Sequence, residues 1–296
     1  MTIAFRPASH QDSLACFELF IESVTDLGRR LGVETITGGA AAVEVLWPRR
    51  RALFDHLAAS ADHWWVAEQQ SRLAGYARSI LRDGVRQLTE FFVRPGTQSA
   101  GIGRELLHRV FGEDDARARI LLATPDTRAL VRYLKAGMIA WFPVFHFHRK
   151  PRRLTLDPEL ETIRLTATPE TMEQLAGIDR EVLGFRRDEE HRWLLTQRHG
   201  YCYRRNGRLL GYGYVGSYSG PFAAREPASL GPMLAHAESV APPEGFGVDV
   251  PLINRSALDY LLEAGYRMDP FVNYFMSRPA LGTFDRYLVT APSFFI

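Results

Sequence analysis

Phe91-Phe92-Val93-Arg94-Pro95-Gly96-Thr97-Gln98-Ser99-Ala100-Gly101-Ile102-Gly103-Arg104 holds, in one run, an apolar strand end, a turn and the start of a helix. Ile102, Leu106, Leu107, Val110 and Phe111 recur on one face, which predicts a helix from about Ile102 to Phe111. Glycines at 101 and 103 let the backbone approach a ligand closely. The free amides of a first helical turn, at the positive end of the helix dipole, suit a pyrophosphate without help from a lysine. A dinucleotide-binding fingerprint needs another glycine spacing and an acidic residue after the next strand, and a P-loop needs Gly-Lys-Ser/Thr; the run has neither.

Upstream of the run, Ile3 to Phe5 reads as a short strand. An amphipathic helix follows, with Leu14, Phe17, Ile21 and Val24 at helical spacing, and then a second helical stretch from Val43 to Leu57. Strand character begins at Trp64-Trp65-Val66-Ala67 and continues through Leu73 to Ile80 and Gln87 to Val93, with hairpin turns at Arg72 and at Asp83-Gly84. Downstream come a buried strand from Arg119 to Ala123, a helix through Ala129 to Ala136, and a strand from Trp141 to His148. The order is that of an α/β chain whose sheet is mixed.

Gln98, Gly101 and Gly103 follow a strand and match a Gln/Arg-x-x-Gly-x-Gly/Ala loop, and Asp126, Ala129, Tyr133, Gly137 and Met138 stand in the register of an Asn-x-x-Ala-x-x-x-Tyr-x-x-x-Gly-Phe helix. On these residues the stretch from Ile3 to His148 resembles the GNAT superfamily of N-acetyltransferases. The resemblance implies an acetyl-CoA cradle: the backbone of Phe91, Phe92 and Val93 pairing with the pantetheine arm, the amides of Ser99, Ala100, Gly101, Ile102, Gly103 and Arg104 holding the pyrophosphate beside Gln98, and Asp126 and Tyr133 close by. An edge strand can bind an amide-bearing ligand as though it were another strand, and a phenol can protonate a departing thiolate. Tyr133 is therefore a candidate acid, with an ordinary core aromatic as the alternative.

Direct acetyl transfer in a ternary complex needs a neutral amine and a donor for the developing oxyanion, a place the resemblance gives to the Val93 backbone. Glu90, three residues earlier, is the candidate base; a structural carboxylate is the equal alternative. At the fifth-strand position where some family members carry a catalytic glutamate, this chain has Leu121. His146 and His148 alternate on a strand, and the implied chemistry requires no metal. The expected acceptor is a primary amine of a small molecule or a peptide, bound by the segment 28–47. A non-catalytic acyl-CoA-binding or sensing module is the alternative function.

The second half repeats the first. Arg72-Leu73-Ala74-Gly75-Tyr76 recurs as Arg208-Leu209-Leu210-Gly211-Tyr212, and Asp126-Thr127-Arg128-Ala129-Leu130 recurs as Asn254-Arg255-Ser256-Ala257-Leu258. Each latter motif ends seven residues later at Gly137 or Gly265. The expected architecture is two tandem GNAT-like folds, each a mainly antiparallel sheet flanked by helices: residues 1–148, a linker at 149–160 and a second domain at 161–296. The second copy has Gly220-Pro221-Phe222-Ala223-Ala224-Arg225-Glu226-Pro227 where the first has its glycine loop, and Leu261 where the first has Tyr133. Prolines remove backbone donors, so this copy is expected to be degenerate.

Hydrophobic residues at 46%, charged residues at 24% and a formal charge of +2 describe a globular chain with no call for nucleic acid. Cys16 and Cys202 lack metal-ligand spacing and fit a reducing compartment. No apolar run suits a signal peptide or a membrane span, and a cytoplasmic monomer or homodimer is expected.

Overall fold

The computed structural model describes residues 2–33, 40–97, 101–112, 115–152 and 154–296. The chain forms two compact units, one of residues up to Leu121 together with Asp126–Met138, the other of Leu122–Pro125 and Ile139–Ile296.

In the first unit, strand β1 (Ile3–Pro7) leads to helices α1 (Ser13–Leu31) and α2 (Ala40–Ala59), then to β2 (His63–Gln69), β3 (Arg72–Arg82), β4 (Val85–Val93), α3 (Ile102–Phe111), β5 (Ala118–Ala123) and α4 (Thr127–Lys135). The β2–β3 turn falls on Gln70 and Ser71, both with positive φ, and the β3–β4 turn on Asp83 and Gly84. Paired left-handed residues suit the twist of a tight hairpin. Helix α1 buries Cys16, Phe17, Leu19, Ile21 and Leu27, whereas Leu14, expected on that face, is exposed. Cys16, Leu19, Trp64, Val66 and Tyr76 form the core beneath it.

The second unit repeats the order element for element: β7 (Glu161–Arg164), α5 (Pro169–Val182), α6 (Asp188–Gln197), β8 (His199–Arg205), β9 (Arg208–Val215), β10 (Phe222–Ala224), α7 (Leu230–Ser239), β11 (Phe246–Pro251), α8 (Arg255–Glu263) and β12 (Arg267–Arg278), followed by the short β13 (Tyr287–Leu288). The duplicated motifs mark equivalent places. Ala74 and Leu210 are bulge residues, since Ala67 pairs with Gly75 and Glu68 with Leu73 in one hairpin, and Tyr203 with Gly211 and Arg204 with Leu209 in the other. Asp126 and Asn254 cap α4 and α8 through bonds to Ala129 N and Ala257 N, and Gly137 and Gly265 follow those helices at φ 78° and 77°.

One strand departs from the expected division. Strand β6 (Ile139–Arg149), which closes the first repeat in sequence, belongs to the second unit and pairs antiparallel with both β11 and β12. Phe147 on β6 joins the core built from Val248, Val250, Leu261 and Phe222. The units therefore interleave, with the chain changing unit at 121/122, 125/126 and 138/139, and β6 lies with the second unit although residues 1–148 were expected to form one domain. Arg149, placed in the linker by sequence, ends β6 with its guanidinium buried: it forms an ion pair with Glu238 at 2.5 Å and lies 4.6 Å over the Tyr266 ring. Among the described residues, no helix is long and apolar enough to cross a membrane.

Candidate active site

Strand β4 carries the geometry. On one edge it pairs with β3 as far as Gly75↔Val93; on the other, its parallel pairing with β5 stops at Leu88↔Leu121 while β4 runs on to Val93. The stop coincides with a bulge, because Arg78 pairs with Glu90 and Ser79 with Leu88, leaving Thr89 as the extra residue. A bulge bends its strand and sharpens the local twist, which turns the last residues of β4 away from β5.

Beyond the turn at Gly96, Gly101 caps α3 with φ 83°, a conformation that favours glycine, and among the described residues no side chain caps the helix. A Cβ on Gly103 would stand 3.1 Å from Phe91 Cζ, 3.3 Å from Arg132 Nε and 3.4 Å from Val93 Cγ2. Glycine there lets the α3 backbone lie against the strand with no shift of the Phe91 and Arg132 tips. At Gly75 a Cβ would lie 3.0 Å from Leu106 Cδ1 and 3.1 Å from Ile102 Cγ2, so a second glycine seats the same helix on β3. Ile102 is buried and Arg104 exposed. Gln98, Ser99 and Ala100 lie outside the described residues.

Tyr133 is 6% exposed, and its ring meets Phe91 edge-on at 6.0 Å. Burial, reinforced by the charge of Asp126, pushes its phenol pKa up, so the proton stays in place at neutral pH. The structure thus brings Tyr133, Phe91, Val93 and Gly103 together. Arg132, beside Tyr133 on α4, adds a cation at the mouth of the uncapped turn. Asp126 is committed elsewhere: Oδ1 accepts from Arg128 N and Ala129 N at 2.9 and 3.3 Å, and Oδ2 takes Arg30 at 2.6 Å. Burial acts to raise this carboxyl, but hydrogen bonds from Arg128 and Arg30 hold it below the usual range.

Glu90 and Phe92 face the other way. An odd separation along a strand reverses the side, so Glu90 points opposite to Val93. Phe92 packs on Phe20 at 5.3 Å and on Tyr76 at 5.6 Å. Glu90 is 2% exposed, accepts the Tyr76 hydroxyl at 2.8 Å and sits 3.3 Å from Arg78 Nε, whose guanidinium lies 3.9 Å over the Trp64 ring. Burial raises its pKa, against the pull of Arg78 and the Tyr76 hydroxyl. In this structure Glu90 is the buried counter-ion of Arg78.

His146 and His148 stack at 5.9 Å on β6, each against its own carboxylate, Asp249 at 2.6 Å and Asp269 at 2.9 Å. Among the described residues no group of three or more histidine, cysteine or acidic side chains could hold a metal ion. Sequence reasoning missed a second buried network. Asp179 Oδ2 accepts from Arg187 Nε at 3.0 Å and lies 2.8 Å from His191 Nε2, Oδ1 accepts the Tyr212 hydroxyl, and Tyr214 meets His191 Nδ1 at 2.8 Å. Tyr212 is the repeat equivalent of Tyr76. Each repeat therefore buries one carboxylate under the same tyrosine, supplied by β4 in the first and by α5 in the second, where Pro221 stands at the Glu90 position.

A mixed sheet whose fourth strand leaves its parallel neighbour beside an uncapped, glycine-opened helix defines the class of acyl-CoA N-acyltransferase folds. Residues 39–141 match the family model of the acetyltransferase (GNAT) domain, and the two repeats share their fold with a solved tandem GNAT structure. Solved structures repeat this fold over most of the length. A putative acetyltransferase from Pyrococcus horikoshii has a TM-score of 0.71 at 13% identity, covering 96% of this chain and 92% of that one. A GCN5-related N-acetyltransferase from Sphaerobacter thermophilus has a TM-score of 0.60 at 13% identity, with 93% and 95% covered. A tandem GNAT protein from the clavulanic acid biosynthesis pathway has a TM-score of 0.54 at 14% identity, with 95% and 98% covered. At these identities the likeness is one of fold. No curated protein matches the chain.

Proposed function

We propose that the first repeat binds acetyl-CoA and transfers its acetyl group to a primary amine, by direct attack in a ternary complex. The observation that carries this reading is the run of β4 past Leu88 toward Val93, with the uncapped start of α3 beyond it and the Tyr133 phenol on the same face. The strand edge suits the amides of a pantetheine arm. The α3 amides and Arg132 suit a diphosphate. In the transfer the amine nitrogen forms a bond to the thioester carbon, the carbon–sulfur bond breaks, the sulfur leaves with its electron pair and takes the Tyr133 proton, and the proton that the nitrogen sheds passes through water and restores the phenol. The acceptor is a small-molecule amine in preference to a peptide.

Tyr133→Phe separates this reading from a non-catalytic binding module. The hydroxyl has no hydrogen-bond partner among the described residues, so its loss should leave the melting temperature unchanged. It should lower kcat by about 100-fold while the KM for acetyl-CoA stays within about threefold. An unchanged kcat in steady-state turnover with an amine panel would remove Tyr133 from the chemistry.

Glu90 is assigned to holding Arg78 and not to taking the substrate proton. Glu90→Gln should cost about 3 kcal/mol, because it leaves a buried guanidinium without its counter-charge, and the pH dependence of kcat should keep its shape. A loss of the acidic limb of that profile at unchanged thermal stability would reinstate Glu90 as the base.

A further inference from the structure

Among the described residues, the second repeat has a strand where the first has none. In the first repeat, β4 continues past its last pair with β5 through Phe91 and Phe92. The equivalent positions in the second are Phe222 and Ala223, since Tyr212 pairs with Ala223 as Tyr76 pairs with Phe92. These two residues pair antiparallel with β13, Phe222 with Leu288 and Ala223 with Tyr287. One residue on, Val289 bridges to β11, its N–H donating to Asp249 O at 3.1 Å. Asn254, which stands where the first repeat has Asp126, donates its side-chain amide to Tyr287 O at 3.3 Å. Segment 287–289 therefore lies between β10 and β11 and satisfies both edges.

The fit is close. Tyr287, Leu288 and Val289 are fully buried. Gly220, at φ 89°, would put a Cβ 2.6 Å from Val289 O, so the approach depends on a glycine. Arg198 Nη2 holds Ala291 O at 2.6 Å, and Ala291 N donates to Ser219 O at 3.2 Å.

We propose that the second repeat is a strand-binding site, built on the counterpart of the pantetheine slot and filled in cis by segment 284–296, so that an extended peptide occupies the place an acyl-CoA arm would take. A peptide strand and a pantetheine arm both present amides to a strand edge, which lets one stand in for the other. The inference rests on the reading that the β4 edge of the first repeat receives the pantetheine arm. It accounts for a second copy that lacks both a glycine loop and a tyrosine at the Leu261 position yet leaves no gap in its sheet.

The test inserts a protease recognition sequence at residues 280–282, where Ala280 and Gly282 are exposed, and cuts the folded full-length protein. The segment should stay bound through gel filtration, and a fluorescent synthetic peptide of residues 283–296 should exchange into the site saturably. The peptide carrying Leu288→Asp should bind at least about 100-fold more weakly, since Leu288 is fully buried. Millimolar acetyl-pantetheine, which has no nucleotide, should weaken the labelled peptide by about threefold or more. Release of the segment with no loss of thermal stability, or peptide exchange indifferent to acetyl-pantetheine, would overturn the proposal. Should the cut protein fail to stay folded, the uncut Gly220→Ala variant serves. Its amides at 287–289 should exchange with solvent at least about tenfold faster while those of β8 keep their protection, and uniform exchange across the unit would count against a seated strand. Acetyl-CoA titrated into the intact chain reads the proposed function separately, because it reports the first repeat alone.

Discussion

Asp179→Ala is expected to lower the stability of the second unit by about 3–5 kcal/mol. The substitution removes the acceptor shared by Arg187, His191 and Tyr212, and each of these side chains is at most 1% exposed. Loss of the buried carboxylate facing the Arg187 guanidinium, which keeps Ile296 O and the Tyr212 hydroxyl as acceptors, is the largest of the resulting costs. Chemical denaturation followed by amide hydrogen exchange in the strands of the second unit reads the loss. The same network sets an acid limit. Burial acts to raise the Asp179 carboxyl, but the charges of Arg187 and His191 override it and hold its pKa well below the usual range. A carboxylate depressed on folding contributes stability that is present above its unfolded pKa, near 4, and is lost as pH falls toward the folded value. The second unit should therefore loosen progressively below about pH 4, and that dependence should be weaker in Asp179→Ala, where the depressed carboxylates of Glu173 and Asp188 remain.

Gly103→Glu is expected to abolish measurable acetyl-CoA binding, a loss of more than about 100-fold. Its Cβ would meet Phe91, Arg132 and Val93 at 3.1–3.4 Å, and the side chain would carry a carboxylate into the first turn of α3, where the account places a diphosphate. Gly103→Ala is the control for bulk. Its single methyl asks the tips of Phe91 and Arg132 to move by a few tenths of an ångström, and it should cost under about tenfold in affinity. Equal losses in the two variants would mean that packing, and not charge beside a phosphate, governs the site.

The elements that were legible in the sequence owe it to local signals. Helix α3 falls at Ile102–Phe111, as its apolar spacing required, and the second hairpin turns at Asp83-Gly84 as expected, whereas the first turns at Gln70-Ser71 and Arg72, expected in the turn, already begins β3. The duplicated Gly-Tyr and Asp/Asn-to-Gly motifs, which marked the repeat, fall at equivalent bulges and caps in the structure, because each encodes a backbone geometry within a few residues. Exchange of β6 into the second unit left no such trace: its pairing to β11 and β12 joins residues about a hundred positions apart, and a strand carries the same alternation whichever neighbour it finds. The side of β4 on which Glu90 lies follows from parity with Val93, but its partners Tyr76 and Arg78 come from β3 and are fixed by register. The Asp179 network was hidden for the same reason, since its members come from two helices and a strand and no spacing in the chain connects them. Asp126 was recognised by position, yet its oxygens are spent on the helix cap and Arg30.

Calorimetric titration of acetyl-CoA into the wild-type chain and into Gly103→Glu tests the central claim most directly. The account requires saturable binding at one site per chain, lost in the variant. Two equivalents per chain, or binding that survives Gly103→Glu unchanged, would contradict it.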